Sequence, residues 1–337
     1  MESLVAMSPD QRRAMMPKPR VLVTGASGFI GGALVRELVA RGYPVVAASR
    51  RVIDAPPGAE AVRLADLGRA IDFSRVIAGC ESVIHCAARV HAPRARNGRN
   101  DSLAAYRAAN ADGTVRLAEQ AAEAGVDRLV FVSTVKVHGD ATEPLRPLTS
   151  NSAIVPSDAY GVSKAEAEAR LRDLSERTGL NLVIVRPPLV YGPSVKGNFS
   201  AMRRWLARGI PLPLGAIKSN KRSLIAIDNL VDLLILCLEH PAAPNRVFLA
   251  ADGEDLSTYD LLRRTAQAMG ARPRLLPVPA PLLKIAAHLI GRSDLWQRLG
   301  GNLQVDMSEA RDRLGWSPPI TVDEGLARAV GNRRLER

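Results

Sequence analysis

A glycine-rich turn near the start of the chain constrains the fold more than any other segment. Val21–Thr24 is an aliphatic and β-branched run of the kind found in buried strands. Glycines follow at Gly25, Gly28 and Gly31, and a helical pattern continues over 31–41. Glycines here permit a tight turn and let the backbone approach a pyrophosphate, which the N-terminus of the following helix attracts. The segment therefore predicts a dinucleotide-binding strand–turn–helix unit.

Short apolar runs alternate with helical patterns through the first half of the chain. The predicted strands lie at 21–24, 45–49, 62–64, 83–86, 129–133 and 182–185, and the predicted helices at 31–41, 102–124 and 159–178. This alternation is typical of βαβ units with right-handed crossovers and a parallel sheet. We expect an α/β fold, a Rossmann-like doubly wound parallel sheet with a smaller C-terminal substrate-binding region.

The pattern changes after Arg186, where prolines and glycines become frequent and the strand–helix alternation weakens. This change predicts a dinucleotide-binding domain over 20–186 and a substrate-binding cap over 187–223 and 241–330. Residues 224–240 have the pattern of a strand and a helix that rejoin the large domain. Residues 1–19 lack the apolar stretch of a secretory signal, and we expect a disordered leader there.

The chain is basic, since 46 Lys and Arg against 34 Asp and Glu give a net charge of +12 among 337 residues. Aromatic residues make up only 4% and no basic stripe is interleaved with them, which argues against a nucleic-acid partner. An anionic metabolite is the expected partner. The three cysteines fit neither a disulfide framework nor a zinc site, so we expect reduced thiols, no metal and a cytoplasmic location.

Apolar runs in this chain are short. None approaches the roughly 20 residues that span a bilayer, so we expect no integral membrane segment. The segment 281–291, PLLKIAAHLIG, has an amphipathic pattern. This pattern fits either a helix whose apolar face packs against the core or a helix that contacts a membrane surface. We expect the helix that faces the core.

Tyr160 and Lys164 stand four residues apart within the helix predicted at 159–178. Residues at this spacing share one helix face, so the ammonium group is expected near the phenol. A free tyrosine has a pKa near 10, and an adjacent cation favours the phenolate. The pair therefore predicts a tyrosine that exchanges a proton with a substrate hydroxyl or carbonyl.

Further motifs follow the glycine turn in a fixed order. They are Asp66-Leu67, His85-Cys86-Ala87-Ala88, Asn110 within NADGT, Ser133-Thr134, Tyr160-Gly161-Val162-Ser163-Lys164, Arg186-Pro187 and Val190-Tyr191-Gly192-Pro193. Together with the G-x-x-G-x-x-G turn, this series resembles the extended short-chain dehydrogenase/reductase family, which includes nucleotide-sugar epimerases, dehydratases and reductases. The resemblance extends over about residues 20–320, which is nearly the whole chain.

The resemblance implies roles for particular residues. Thr134, Tyr160 and Lys164 would be catalytic, with Thr134 hydrogen-bonded to the reacting oxygen and Lys164 also holding the nicotinamide ribose. The residues implied in cofactor binding are Gly25, Ser27, Gly28, Phe29, Ile30, Gly31, Ser49, Arg50, Asp66, Leu67, Ala87, Ser133, Tyr160, Lys164 and Pro187. Those implied in substrate binding are Thr134, Lys136, Asn198, Leu214, Arg222 and Arg298. Relatives dimerise through helices that correspond to 102–124 and 159–178, so a homodimer is expected.

The end of the second predicted strand bears on the choice of cofactor. NAD-binding proteins place Asp or Glu there to accept hydrogen bonds from the ribose hydroxyls. This chain has Ser49 and Arg50 instead, which suit a 2′-phosphate. The sequence therefore favours NADP(H), with NAD(H) as the alternative.

The resemblance implies hydride transfer at C4 of a nucleotide-linked hexose, with UDP as the expected nucleotide. Val135 and Lys136 follow Thr134 where 4,6-dehydratases carry an Asp-Glu pair, which argues against dehydration. The expected function is a 4-keto-sugar reductase, and the main alternative is a UDP-sugar 4-epimerase that retains NAD. Two further alternatives are a reductase of apolar carbonyl substrates, disfavoured by Asn198 and Arg222, and a non-catalytic dinucleotide sensor, disfavoured by the Tyr-Lys pair.

Overall fold

The structure, a computed structural model, describes residues 18–90, 103–195 and 197–331. The side chains of Asn198 and Asp294 also lie outside the described part of the chain. The leader that the sequence predicts over 1–19 falls outside the described residues except for its last two positions.

Nine strands are described, and seven of them form one parallel sheet. The strands are β1 Val21–Thr24, β2 Val45–Ser49, β3 Ala59–Arg63, β4 Ser82–His85, β5 Arg128–Val132, β6 Asn181–Arg186, β7 Leu189–Tyr191, β8 Leu224–Ala226 and β9 Arg246–Leu249. The order in the large sheet is β3-β2-β1-β4-β5-β6-β9, and β7 pairs with β8 in a separate two-stranded sheet. In the large sheet Thr24 lies beside Ala48 on one side and His85 on the other.

Helices cover both faces of the large sheet. They are α1 Phe29–Ala40, α2 Ser74–Ile77, α3 Leu103–Arg107, α4 Gly113–Glu123, α5 Ala159–Thr178, α6 Asn198–Ala207, α7 Ile227–Glu239, α8 Thr258–Ala268, α9 Ala280–Leu289, α10 Ser293–Gly300, α11 Ser308–Leu314 and α12 Val322–Val330. The helix that the sequence predicts over 102–124 is interrupted, because a π-helical turn at Ala108–Asp112 separates α3 from α4.

Alternate strand residues feed two separate cores. Val21 and Val23 point to the side covered by α1, α7 and α11, whereas Leu22 packs with α2, α4 and α5 on the other side. This alternation follows from the two-residue period of a strand and explains why every residue of β1 is buried. The predicted Rossmann-like, doubly wound parallel sheet is confirmed.

The second half of the chain differs in part from the predicted division. Strand β8 pairs with β7 rather than with the large sheet, while α7 packs against α1 in the large core. Strand β9 lies within 241–330, which the sequence assigns to the cap, but it forms the edge of the large sheet beside β6. The sequence gives no separate signal for β9, because its four residues follow a proline-containing loop rather than a strand–helix repeat.

Helix α9 corrects the expectation for 281–291. Only Ala287 of this helix is buried, and most of its apolar side chains face solvent. An amphipathic pattern shows that a helix has an apolar face but does not say which surface that face meets. The core-facing interpretation is therefore wrong.

Candidate active site

The predicted cofactor residues follow the carboxyl ends of the first six strands. In strand order they are Gly25 to Gly31 after β1, Ser49 and Arg50 at β2, Asp66 and Leu67 beyond β3, Ala87 beyond β4, Ser133 after β5 and Pro187 after β6. Parallel strands end at one edge of a sheet, so the fold brings these separated residues to a common crevice. The order reverses at β1, which lies between β2 and β4. Crevices at such reversal points bind ligands in open α/β sheets.

The glycine turn leaves no room for larger side chains. A Cβ at Gly31 would lie 2.4 Å from the Gly25 carbonyl oxygen, and one at Gly25 would lie 2.7 Å from the Ala87 nitrogen. Gly25 also has φ +73°, in the left-handed region that glycine adopts without strain. Gly28 begins α1, whose first backbone N–H groups need acceptors. The segment thus has the shape and the donors of a pyrophosphate cradle, and it fits a dinucleotide.

A buried hydrogen-bond chain ties this turn to the next strand. His85 Nδ1 lies 2.7 Å from Thr24 Oγ1, and His85 Nε2 lies 2.9 Å from Thr114 Oγ1. The Thr114 hydroxyl donates to the Asn110 carbonyl oxygen, so it accepts a bond from Nε2–H and leaves Nδ1 as the acceptor for Thr24. Burial, with a smaller effect of Lys164, lowers the pKa of His85 to about 3. The imidazole is therefore neutral and structural.

The predicted catalytic residues lie just beyond β5 and at the start of α5. Thr134 lies two residues after the end of β5 and is buried, and Tyr160 and Lys164 lie in the first turns of α5. The Lys164 ammonium donates to the Val132 carbonyl oxygen at 2.7 Å and lies 3.8 Å from the centre of the Phe131 ring. Lys164 thus joins the helix to the strand end that carries Thr134.

The electrostatics of Tyr160 differ from the expectation. Burial raises the pKa of the Tyr160 phenol, and the negative charge of Asp158 and the neighbouring Tyr106 raise it further. Burial also lowers the pKa of Lys164 to about 7, against the opposing influence of Glu168. The Lys164 ammonium is directed at the Val132 carbonyl oxygen, and the pKa of the Tyr160 phenol is raised. The expected lowering of the tyrosine pKa by Lys164 is not present in this structure.

A buried ion pair lies directly beneath these residues. Glu168 is one helical turn beyond Lys164, and its carboxylate accepts bonds from Arg186 Nε at 3.0 Å and from Ser133 Oγ at 2.6 Å. Arg186 also bonds to His138 Nε2 at 2.9 Å, and both members of the Glu168–Arg186 pair are only 1% exposed. The pair locks α5, β6 and the end of β5 together. Arg186 stands in the Arg186-Pro187 motif, whereas Glu168 belongs to no motif, and its i+4 spacing from Lys164 is the available sequence signal.

Asn110 secures the same helix from the other side. It lies in the π-helical turn, accepts a bond from the Arg89 backbone N–H at 2.7 Å and donates to Ser163 Oγ at 3.0 Å. Ser163 in turn donates to the Tyr160 carbonyl oxygen. Short π-helical segments occur often at functional sites. Here the wider turn directs the asparagine toward the helix that carries Tyr160.

Lys136 belongs to a small charged cluster at the mouth of the site. Its ammonium contacts the carboxylate of Asp158, the N-cap of α5, and lies 3.3 Å from Asp140. Gly161 permits this arrangement, since a Cβ there would lie 2.7 Å from the Lys136 carbonyl oxygen. The predicted substrate-binding lysine therefore already has two acidic partners.

The residues predicted to select the cofactor, Ser49 and Arg50, each have a partner within the chain. Arg50 Nη1 donates to Asp66 Oδ2 at 2.6 Å, and the Ser49 hydroxyl is directed at the Arg51 carbonyl oxygen. The pKa of Asp66 is lowered, chiefly by a bond from the Gly68 N–H and also by Arg50. Arg50 thus faces an ionised carboxylate rather than a purely cationic surface.

Two predicted substrate residues converge at the cap. Arg222 is largely buried and donates to the Gly301 carbonyl oxygen at 3.1 Å. Burial lowers the pKa of Arg222, the Asp140 charge opposes this, and Arg298 lowers it further, so the two arginines interact electrostatically. Leu214 packs with Leu212 and Leu275 in a separate apolar cluster. Asn198 begins α6, but its side chain lies outside the described part.

Comparison with known proteins decides the family. Residues 21–251 match the model of the NAD dependent epimerase/dehydratase family, which is more than half of the chain. This chain belongs to that family. The predicted membership of the extended short-chain dehydrogenase/reductases is confirmed. The chain is an enzyme of this class.

Individual relatives agree with this family. The chain is 42% identical to a UDP-glucose 4-epimerase of Vibrio cholerae over 312 residues, covering 92% of this chain and 94% of that protein. MoeE5 in complex with UDP-glucose and NAD is 26% identical, with a TM-score of 0.72 over 94% of this chain and 98% of that one. The UDP-glucuronic acid 4-epimerase of Bacillus cereus, solved with NAD, shares the fold at 21% identity and a TM-score of 0.74, over 93% of this chain and 98% of its own.

Proposed function

We propose that this protein is a UDP-hexose 4-epimerase that retains NAD(H). The observation that carries the proposal is its 42% identity, over 92% of the chain, to a protein named UDP-glucose 4-epimerase. Two features of the chain support it: Lys164 at the start of α5 is bonded to the end of β5, next to Thr134, and the acid pair of a dehydratase is absent at Val135 and Lys136. The comparisons thus favour the alternative that the sequence analysis ranks second.

The pairing of Arg50 with Asp66 supports NAD(H) over NADP(H). A 2′-phosphate near Arg50 would also lie near the Asp66 carboxylate, and like charges at such a distance repel. Serine rather than Asp or Glu stands at position 49, at the end of β2. This residue favours NADP(H), and with it a 4-keto-sugar reductase.

The chain's own groups suit a reversible proton transfer at C4. NAD(H), when bound, would supply the acceptor and donor of the hydride exchanged with the sugar carbon. As a phenolate, Tyr160 would take the proton of the C4 hydroxyl and return it as a phenol, which requires a lower pKa than burial alone gives this residue. Thr134 would donate a hydrogen bond to the same oxygen. Lys164 holds the nicotinamide ribose, and Arg222 and Arg298 bind the diphosphate as planar, permanently charged donors. A homodimer through α3, α4 and α5 remains part of this proposal.

One experiment separates the epimerase from the reductase. The purified chain is incubated with UDP-galactose and no added dinucleotide, and the product is resolved by chromatography. We expect conversion to UDP-glucose, NAD(H) released on denaturation, and loss of turnover but not of dinucleotide in Tyr160→Phe. Absence of conversion together with consumption of NADPH on a 4-keto UDP-sugar would establish the reductase instead.

A further inference from the structure

Helix α9 presents an apolar stripe to solvent. Leu282, Ile285, Leu289 and Ile290 are 57%, 57%, 79% and 68% exposed. Their spacing places them on one face of the helix, while the opposite face supplies the buried Ala287. Leu276 before the helix and Leu295 on α10 are also about half exposed, at 50% and 43%. An exposed apolar helix face of this kind is a candidate interaction site.

The chain segment that carries this stripe is rich in basic residues. The sequence contains no acidic residue between Asp260 and Asp294, and six arginines and lysines lie in that interval. Four of these, Arg272, Arg274, Lys284 and Arg292, are exposed. Among the described residues none of the four has an ion-pair partner. Exposed apolar side chains accompanied by cations without ion-pair partners are complementary to a surface whose interior is apolar and whose outer layer is anionic.

We propose that α9 docks this protein on the surface of an anionic lipid bilayer. Leu282, Ile285, Leu289 and Ile290 enter the boundary between headgroups and acyl chains, and Lys284 and Arg292 meet the headgroup phosphates. The helix has ten residues and so rises about 15 Å, roughly half the hydrocarbon thickness. It therefore lies in the plane of the membrane. In the described part of the chain no helix has the length and apolarity needed to cross a bilayer.

Charge favours a bilayer over a second copy of the chain. A two-fold interface through α9 would bring the same basic patch of each copy together, and the repulsion would oppose the gain from apolar burial. Anionic headgroups neutralise these side chains instead. Docking at α9 would bring the cap close to the bilayer. Leu275, before α9, bridges to Leu212, and Gly301, after α10, accepts a bond from Arg222, so both helices lie next to these cap residues.

Vesicle flotation with the full chain tests the proposal. The wild type is mixed with vesicles of phosphatidylcholine alone or of phosphatidylcholine with phosphatidylglycerol. We expect the anionic vesicles to carry at least about tenfold more protein and added salt to reduce this binding. Leu289→Gln/Ile290→Gln should lower the partition coefficient at least about tenfold, since each side chain loses most of its transfer free energy. Lys284→Gln/Arg292→Gln should lower it only on the anionic vesicles.

A matched control uses another exposed aliphatic residue. Leu145 is 90% exposed in the loop between Thr142 and Leu148, outside α9, and Leu145→Gln should leave flotation unchanged. The α9 variants should keep the turnover of a soluble UDP-hexose, so this test does not depend on the proposed function. The proposal is overturned if the wild type does not float with anionic vesicles, or if Leu289→Gln/Ile290→Gln floats equally well. It is also overturned if these variants abolish a dimer while vesicle binding is absent.

Discussion

Replacing Glu168 with glutamine tests the buried ion pair beneath the active site. The substitution keeps the shape of the side chain but removes the charge that faces Arg186, which is 1% exposed and so is shielded from bulk solvent. Breaking a buried pair by removing one partner costs about 3–5 kcal/mol of unfolding free energy. The whole domain is expected to have only about 5–15 kcal/mol, so this loss is large. We expect the melting temperature to fall by roughly 6–10 °C.

Two further variants make the result specific. Glu166→Gln lies one half-turn away and removes only a partly exposed pair with Arg107, so it should cost less than about 1 kcal/mol. In Glu168→Gln/Arg186→Met the unpaired charge is gone, and the double variant should be more stable than the sum of the single effects by about 1–3 kcal/mol. Urea unfolding followed by circular dichroism measures the wild type, Glu166→Gln, Glu168→Gln, Arg186→Met and the double variant. Additive effects, or a cost below about 1 kcal/mol for Glu168→Gln, would refute the reasoning.

The pH dependence of the same group has a definite sign. Burial alone would raise the pKa of Glu168, but the bond and charge of Arg186 outweigh it and hold the pKa below its ordinary value. A carboxyl with a lowered folded pKa stabilises the protein above its unfolded pKa, near 4.3, and this contribution is lost as the pH falls through the folded pKa. Glu168→Gln should therefore show a flatter loss of stability below about pH 4.5 than the wild type.

Three shorter predictions concern other parts of the site. Gly31→Ala should release bound dinucleotide and lower the melting temperature, because its Cβ would lie 2.4 Å from the Gly25 carbonyl oxygen. Gly32→Ala is the control, since its Cβ would lie 3.2 Å from the nearest atom, the Ala26 carbonyl oxygen. The free energy of unfolding of the wild type should fall as the pH drops below about 6.5. In the folded protein His85 has a pKa of about 3 and stays neutral, whereas in the unfolded chain it becomes protonated. His85→Gln should weaken this pH dependence, measured by urea unfolding. Arg222→Gln should raise KM for the UDP-sugar by about 10–100-fold with a smaller change in kcat, and an unchanged KM would remove Arg222 from the substrate site.

Several features of the fold were accessible from local sequence patterns. The strands at β1, β2, β5 and β6 and the bounds of α5 follow from hydrophobic runs and helical periodicity, and the structure agrees with them within a residue or two. The missed elements are short or irregular. The π-helical turn has the same composition as a helix, and β9 is a four-residue edge strand with no helix pattern leading into it.

The candidate site was only partly accessible in this way. Residues of one segment, such as Tyr160 and Lys164, can be related by their spacing on a helix. The partners of Lys164, namely Val132 and the Phe131 ring, come from β5. The ammonium therefore bonds to the strand rather than to the Tyr160 phenol. The expectation for the tyrosine pKa failed for this reason.

By itself the sequence determined the parallel α/β architecture, the glycine turn and the residues that the crevice would collect, because these depend on periodicity and on the backbone freedom of glycine. Only the tertiary structure decided that Arg50 faces Asp66, that Glu168 is buried against Arg186, and that the apolar face of α9 meets solvent. These are relations between surfaces of different elements. They are fixed by how the helices pack on the sheet, and no local pattern in the chain specifies them.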